Sequence, residues 1–198
     1  MLWKGRLHFK QYIPSKRHRF GIKIFILCDC RTGFLLYFAI YVESGTQIQF
    51  NKKLGIPGSI VVTLMQSYLH KGHNLFVDNW FTSPALFKVL HANRTGAYGT
   101  VRKNRLGMPS FTDELEKGDS GYRHTDILLA VKWFDKRDVT MLSTIHEART
   151  ISTGKIHWKT NEQIQKPVPI IDYNKNMDSI YRSDMQISYV ERVRKTVK

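Results

Sequence analysis

Asn74-Leu75-Phe76-Val77-Asp78-Asn79-Trp80-Phe81-Thr82-Ser83-Pro84 is the stretch from which the fold is read. Leu75, Phe76 and Val77 form a short apolar run that ends in a carboxylate. Thr82 or Ser83 reads as a helix N-cap, with Pro84 at the first helical position, where its missing N–H costs nothing. Asp78 is therefore expected at the carboxyl end of a buried strand, where the chain turns into a helix. In open α/β sheets that edge is where ligands collect. An Asp at such a corner can equally do no more than support the turn, and the pattern alone leaves both roles open.

Working outward, Pro57 opens a helix whose apolar positions Val61, Leu64, Met65, Tyr68 and Leu69 follow a 3.6-residue period, with Gly72 as its stop. A second helix runs from Pro84 with Leu86, Phe87 and Leu90 inward, and Gly96 to Val101 reads as a strand. Further back, Phe20 to Cys28 and Phe34 to Val42 read as an antiparallel hairpin around the turn residues Arg31-Thr32-Gly33. Both strands are nearly continuous in apolar residues, so both faces are expected to be covered. Hairpin, helix, strand, helix, strand predicts an α/β fold with a mixed sheet flanked by helices. From about 106 to 166 the chain changes character. Leu128 to Phe134 and Val139 to Ile145 read as paired strands, Thr150 to Gln165 as a loose loop, Pro167 to Ile171 as extended, and Asp184 to Lys198 as helical. The 106–166 stretch is read as a β-rich insertion within one domain spanning 1–198.

At 198 residues, with 42% hydrophobic and 12% aromatic content, the chain can build a substantial core. Its net charge is +15, from 31 Lys and Arg against 16 Asp and Glu. No acidic residue precedes Asp29, whereas Lys4, Arg6, Lys10, Lys16, Arg17, Arg19 and Lys23 do. Such a field favours a polyanion, nucleic acid before an anionic membrane, since no basic amphipathic helix accompanies it. Cys28 and Cys30 alternate on one strand, a poor disulfide geometry and no zinc site, which fits a reducing compartment. No signal-peptide pattern and no apolar run of about 18 residues is seen, so nuclear or cytoplasmic residence is expected.

Of the possible chemistries, zinc at His70 and His73 lacks matching ligands, and neither a phosphate-cradling Gly loop nor a G-x-S-x-G elbow occurs. Carboxylate chemistry remains. Two-metal phosphoryl transfer needs several carboxylates around ions about 3.5–4 Å apart. Asp78 is one, and Asp172, Asp178 and Asp184 are possible partners.

Lys4-Gly5-Arg6, Lys10-Gln11-Tyr12-Ile13-Pro14-Ser15-Lys16, Phe20-Gly21-Ile22-Lys23, Asp78-Asn79-Trp80-Phe81-Thr82-Ser83, Gly99-Thr100-Val101-Arg102 and Asp172-Tyr173-Asn174-Lys175-Asn176-Met177 follow in this order. Together they resemble the catalytic domain of piggyBac transposases and of piggyBac-derived domesticated proteins. The resemblance implies an RNase H-like fold, a triad of metal-binding aspartates, Mg²⁺-dependent cleavage and joining of DNA at TTAA targets, and a homodimer. Asp78 matches the second catalytic Asp. The third falls, in register with Tyr173-Asn174 and Met177, on Tyr181, with Asp178 in place of a Gly and Asp184 matching a further family acid. The first family Asp lies just before Lys-Gly-Arg. Here Met1-Leu2-Trp3 stand there, so that Asp and the central strand carrying it are expected to be missing. A phenol is neutral at pH 7 and a poor Mg²⁺ ligand.

The expectation is a degenerate transposase domain, catalytically inactive, that binds DNA without sequence preference through Lys10, Lys16, Arg17, Arg19, Arg102, Lys103 and Arg105. Any metal would be held at Asp78, with Asp178 or Asp184 as substitute ligands. Two alternatives stand beside it: a fragment of an active Mg²⁺-dependent transposase that starts further upstream, and a scaffold kept for binding a protein partner.

Overall fold

A computed structural model describes residues 6–14, 19–112, 114–156, 161 and 163–177. It divides into two compact units, one built on the described residues up to Ile48, the other on Gln49–Asn176.

In the first unit, β1 (Gln11–Tyr12) pairs antiparallel with β2 (Phe20–Gly21), and β3 (Ile24–Cys28) with β4 (Leu35–Ile40). The stretch from Phe20 to Cys28 is thus two strands rather than the single one its apolar run predicts. The β3–β4 turn is closed by Asp29, whose carboxylate accepts from the backbone N–H groups of Arg31 and Thr32 and from the Thr32 hydroxyl. The Thr32 hydroxyl, followed by the Arg31 N–H, holds the Asp29 carboxyl below its ordinary range. Gly33 takes φ +74°, which a side chain would disfavour. The expectation that both hairpin faces are covered is corrected. Leu35, Tyr37, Phe38 and Ile40 are exposed, because among the described residues β3–β4 forms a sheet of two strands and no more.

The second unit is a mixed five-stranded sheet. Its strands are β5 (Asn74–Val77), β6 (Gly96–Thr100), β7 (Ser120–His124), β8 (Leu129–Phe134) and β9 (Asp138–Ser143), in the order β5-β6-β9-β8-β7. Only β5 and β6 are parallel, in register from Asn74↔Gly96 to Val77↔Gly99. Their crossover is α2 (Pro84–Ala92), which packs on β6 and buries Leu86, Phe87 and Leu90 completely. Ser83 is its N-cap: the side chain accepts from Leu86 N–H at 3.2 Å, with Pro84 following as the sequence predicts.

α1 (Gly55–Met65) buries Ser59, Ile60, Val61, Leu64 and Met65. It ends before the Tyr68 and Leu69 positions that the periodicity assigns to it. Their N–H groups still reach the Met65 carbonyl, but as turns that run into the left-handed His70 and Gly72.

The strands paired about the Asp135–Asp138 turn appear as β8 and β9, and with β7 they extend the sheet of β5 and β6 itself. Thr150 to Gln165 is not a loose loop. It contains β10 (Thr150–Ile156), which pairs antiparallel with β11 (Gln163–Pro167) across a register shift. β10 is almost wholly exposed and both strands are mostly polar, so no period-two apolar signal announces them. The extended reading of Pro167 to Ile171 is likewise corrected: α3 (Val168–Asn176) begins there, with Pro169 in the first turn, where proline is tolerated. α3 packs against β6 and β9. Among the described residues no helix is long and apolar enough to cross a membrane.

Candidate functional site at the end of the Asp78 strand

Asp78 is the first residue beyond β5 and is exposed. Oδ1 accepts the backbone N–H of Trp80 at 2.9 Å and, less directly, that of Phe81 at 3.4 Å. The Asp78 carbonyl accepts the N–H and the hydroxyl of Thr82 at 3.1 and 2.8 Å. One side chain and one carbonyl thus fold the corner that delivers Ser83 to its capping position. Oδ2 takes no part in this turn. The turn-supporting reading of Asp78 is the one these bonds bear out.

The corner is tight because β6 lies against it. At Gly99 a Cβ would stand 2.0 Å from the Val77 carbonyl oxygen and 2.9 Å from Thr82 Oγ1, so the close approach of β5, β6 and the turn requires glycine. Tyr98, next along β6, points to the other face, where its hydroxyl accepts from Asn176 of α3 at 3.3 Å. The Asp78 corner and α3 accordingly lie on opposite faces of β6.

The basic run Arg102-Lys103-Asn104-Arg105 leaves β6 at the same edge, since the two strands are parallel. Arg102 and Lys103 are exposed there. Arg105 is placed differently: its Nη2 donates to the carbonyls of Asn79 at 2.7 Å and Trp80 at 3.1 Å. That guanidinium clamps the loop after Asp78, a role that its position in a basic run does not reveal. Lys10 and Arg19 belong to the first unit. Lys10 Nζ lies 5.2 Å from the centre of the Phe20 ring, and Arg19 is exposed. Lys16, Arg17, Asp178, Tyr181 and Asp184 lie outside the described residues.

Asp172 sits on α3 with its Oδ2 3.0 Å from His146 Nε2, a pairing that nothing in the sequence announces. Among the described residues no group of three His, Cys, Asp or Glu side chains gathers at metal-binding distance. Mg²⁺ needs near-octahedral oxygen coordination. Asp78 offers one carboxylate oxygen outside the turn, so the described residues do not by themselves make up such a site. The thiols of Cys28 and Cys30 are both pushed up in pKa, first by burial and then by the negative neighbours around them.

The family signature described as Transposase IS4 matches residues 1–198. The chain belongs to that family. Within it the chain is of the piggyBac type. It is 29% identical over 195 residues to the human "PiggyBac transposable element-derived protein 3", covering 92% of this chain and 32% of that protein. It is 26% identical over 198 residues to the human "PiggyBac transposable element-derived protein 2", covering 93% and 33%. The fold matches a piggyBac transposase solved as a synaptic complex with hairpin DNA, with a TM-score of 0.79 and 28% identity over 99% of this chain and 40% of that one. The transposase-type chain is therefore RNase H-like in its α/β architecture, and it spans about a third of the length of the curated relatives it matches.

Proposed function

We propose that this transposase-derived domain holds DNA through the phosphate backbone, without sequence preference, and does not itself cut strands. The observation that carries the reading is the parallel β5–β6 edge, which sets exposed Arg102 and Lys103, at the exit of β6, beside the Asp78 corner whose following loop Arg105 clamps. Phosphate contacts position a protein on DNA, whereas sequence is read by side chains entering a groove. What the edge offers is exposed and cationic, suited to phosphate. The net charge of +15 and the acid-free stretch before Asp29 support the same partner, and nuclear residence follows from it. The hairpin DNA held by the structurally matched piggyBac transposase supports it too.

The inactivity has a separate basis. The position matching the third metal-binding Asp is Tyr181, a neutral phenol at pH 7. A misplacement of about 1 Å in a reacting group costs roughly a hundredfold in rate, so a nearby Asp178 or Asp184 is a poor replacement.

Two measurements test the reading. Affinity for unrelated duplexes is expected to be similar and to fall steeply with salt. A flat salt response, with binding to a protein partner instead, would favour the scaffold role. Nicking of a labelled piggyBac-type end is expected to stay at background in Mg²⁺ or Mn²⁺. Cleavage by the unmodified chain that Asp78→Asn abolishes would show that the active-transposase reading is the right one.

A further inference from the structure

Ser143, His146 and Asp172 form a hydrogen-bonded row through one buried imidazole. Ser143 Oγ lies 2.8 Å from His146 Nδ1, and His146 Nε2 lies 3.0 Å from Asp172 Oδ2. The trio has the composition of a hydrolytic triad, but its wiring is different. Ser143 is 1% exposed, and its Oγ already accepts the N–H groups of Ile145 and His146, each at 3.1 Å. A hydroxyl has two lone pairs and one proton. With both lone pairs engaged, Ser143 can only donate to Nδ1, so Nδ1 carries no proton and the imidazole is neutral with its hydrogen on Nε2. That hydrogen points at Asp172. A serine so committed and so buried is no nucleophile.

The row joins two elements. Ser143 ends β9, while Asp172 lies on α3. The His146 ring meets the Tyr98 ring edge-on at 4.6 Å, and Tyr98 accepts from Asn176, also on α3. Tyr98 in turn packs on Phe76 of β5 at 4.2 Å, two residues before Asp78. The His146 side chain is 6% exposed and Asp172 is 45% exposed, so the helix is tied at its outer surface by a group rooted in the core.

We propose that His146 is the positioning residue that seats α3 on the sheet, acting as a neutral relay that accepts from Ser143 and donates to Asp172. It is independent of the DNA reading. The relay fixes which turn of α3 faces Tyr98, because Asp172 and Asn176 are one helical turn apart and are both engaged.

Nitrogen-detected NMR of the unmodified chain should find the Nε2–H tautomer of His146, with Nδ1 bare. His146→Leu strands the Ser143 hydroxyl and removes the donor to Asp172. Exchange protection of the Tyr173–Asn176 amides should then fall roughly tenfold or more, while that of β8 and β9 is retained. His146→Gln, whose amide nitrogen can stand where Nε2 stood, should restore protection to within about threefold of the parent. Asp172→Asn should also keep it, since an amide oxygen accepts from a neutral imidazole, whereas Asp172→Ala should lose it. A proton on Nδ1, equal protection in the Leu and parent chains, or failure of both Gln and Asn to preserve α3 would overturn the assignment. Should the Leu variant not fold, the tautomer and the two Asp172 variants decide the matter alone.

Discussion

Replacing Asp78 by alanine removes the acceptor for Trp80 N–H at the corner, whereas asparagine retains an oxygen there and loses the charge. Asp78→Asn is expected to leave the urea midpoint nearly unchanged, and Asp78→Ala to lower stability by about 1 kcal/mol, the ordinary worth of such a bond. Gly99 presents a harsher case. The methyl of Gly99→Ala would enter the space of the Val77 carbonyl and press on the Thr82 hydroxyl, and the Val77 backbone leaves little room to yield. A loss of about 1–3 kcal/mol or more is expected by urea denaturation, with far-UV circular dichroism as the readout. The position of Asp78 was legible in the sequence, because an apolar run, a carboxylate, a cap and a proline are all local signals. The need for glycine at 99 was not. It comes from the neighbouring strand and the Thr82 hydroxyl, both distant in sequence.

Among the elements, α2 depends on its cap. Ser83→Ala is expected to cost about 1 kcal/mol, measured as a shift in the chemical-denaturation midpoint, and Ser83→Asp to recover most of it. The loop between Asp78 and Thr82 depends on Arg105 in a way that separates this arginine from its basic neighbours. Arg102→Ala and Lys103→Ala should each lower the slope of log affinity for duplex DNA against log salt by about 0.9. Arg105→Ala should change that slope little and speed amide exchange at Trp80 and Phe81 instead, because its guanidinium is spent on the carbonyls of Asn79 and Trp80. The helical run at 84–92 and the strands at 129–143 were readable from periodicity and turn chemistry. β10 and β11 were not, since two polar strands that, among the described residues, pair only with each other carry no apolar alternation.

Across the whole molecule, the sequence declares the class of fold but not the wiring of the sheet. β9 lies between β6 and β8, so the 106–166 stretch enters the sheet beside β6. That pairing joins Tyr98 to Ser143, residues with nothing in the intervening chain to announce it. His146 was invisible for the same reason, as a lone histidine has no spacing to betray its partners. With charge of one sign dominating, total duplex affinity should drop by orders of magnitude between low and physiological salt, read by fluorescence anisotropy on two unrelated sequences.

The turn-building duty of the Asp78 carboxylate bears on how descent is to be read. If a lineage of this family ceased to cut DNA, selection for a foldable corner alone would go on holding an acceptor at this position, as Oδ1 does for Trp80 and Phe81. An aspartate preserved there among descendants is then no testimony to chemistry, while drift to asparagine marks release from metal binding with the corner kept. The informative fossil is the site without a scaffolding duty, where decay is free to show.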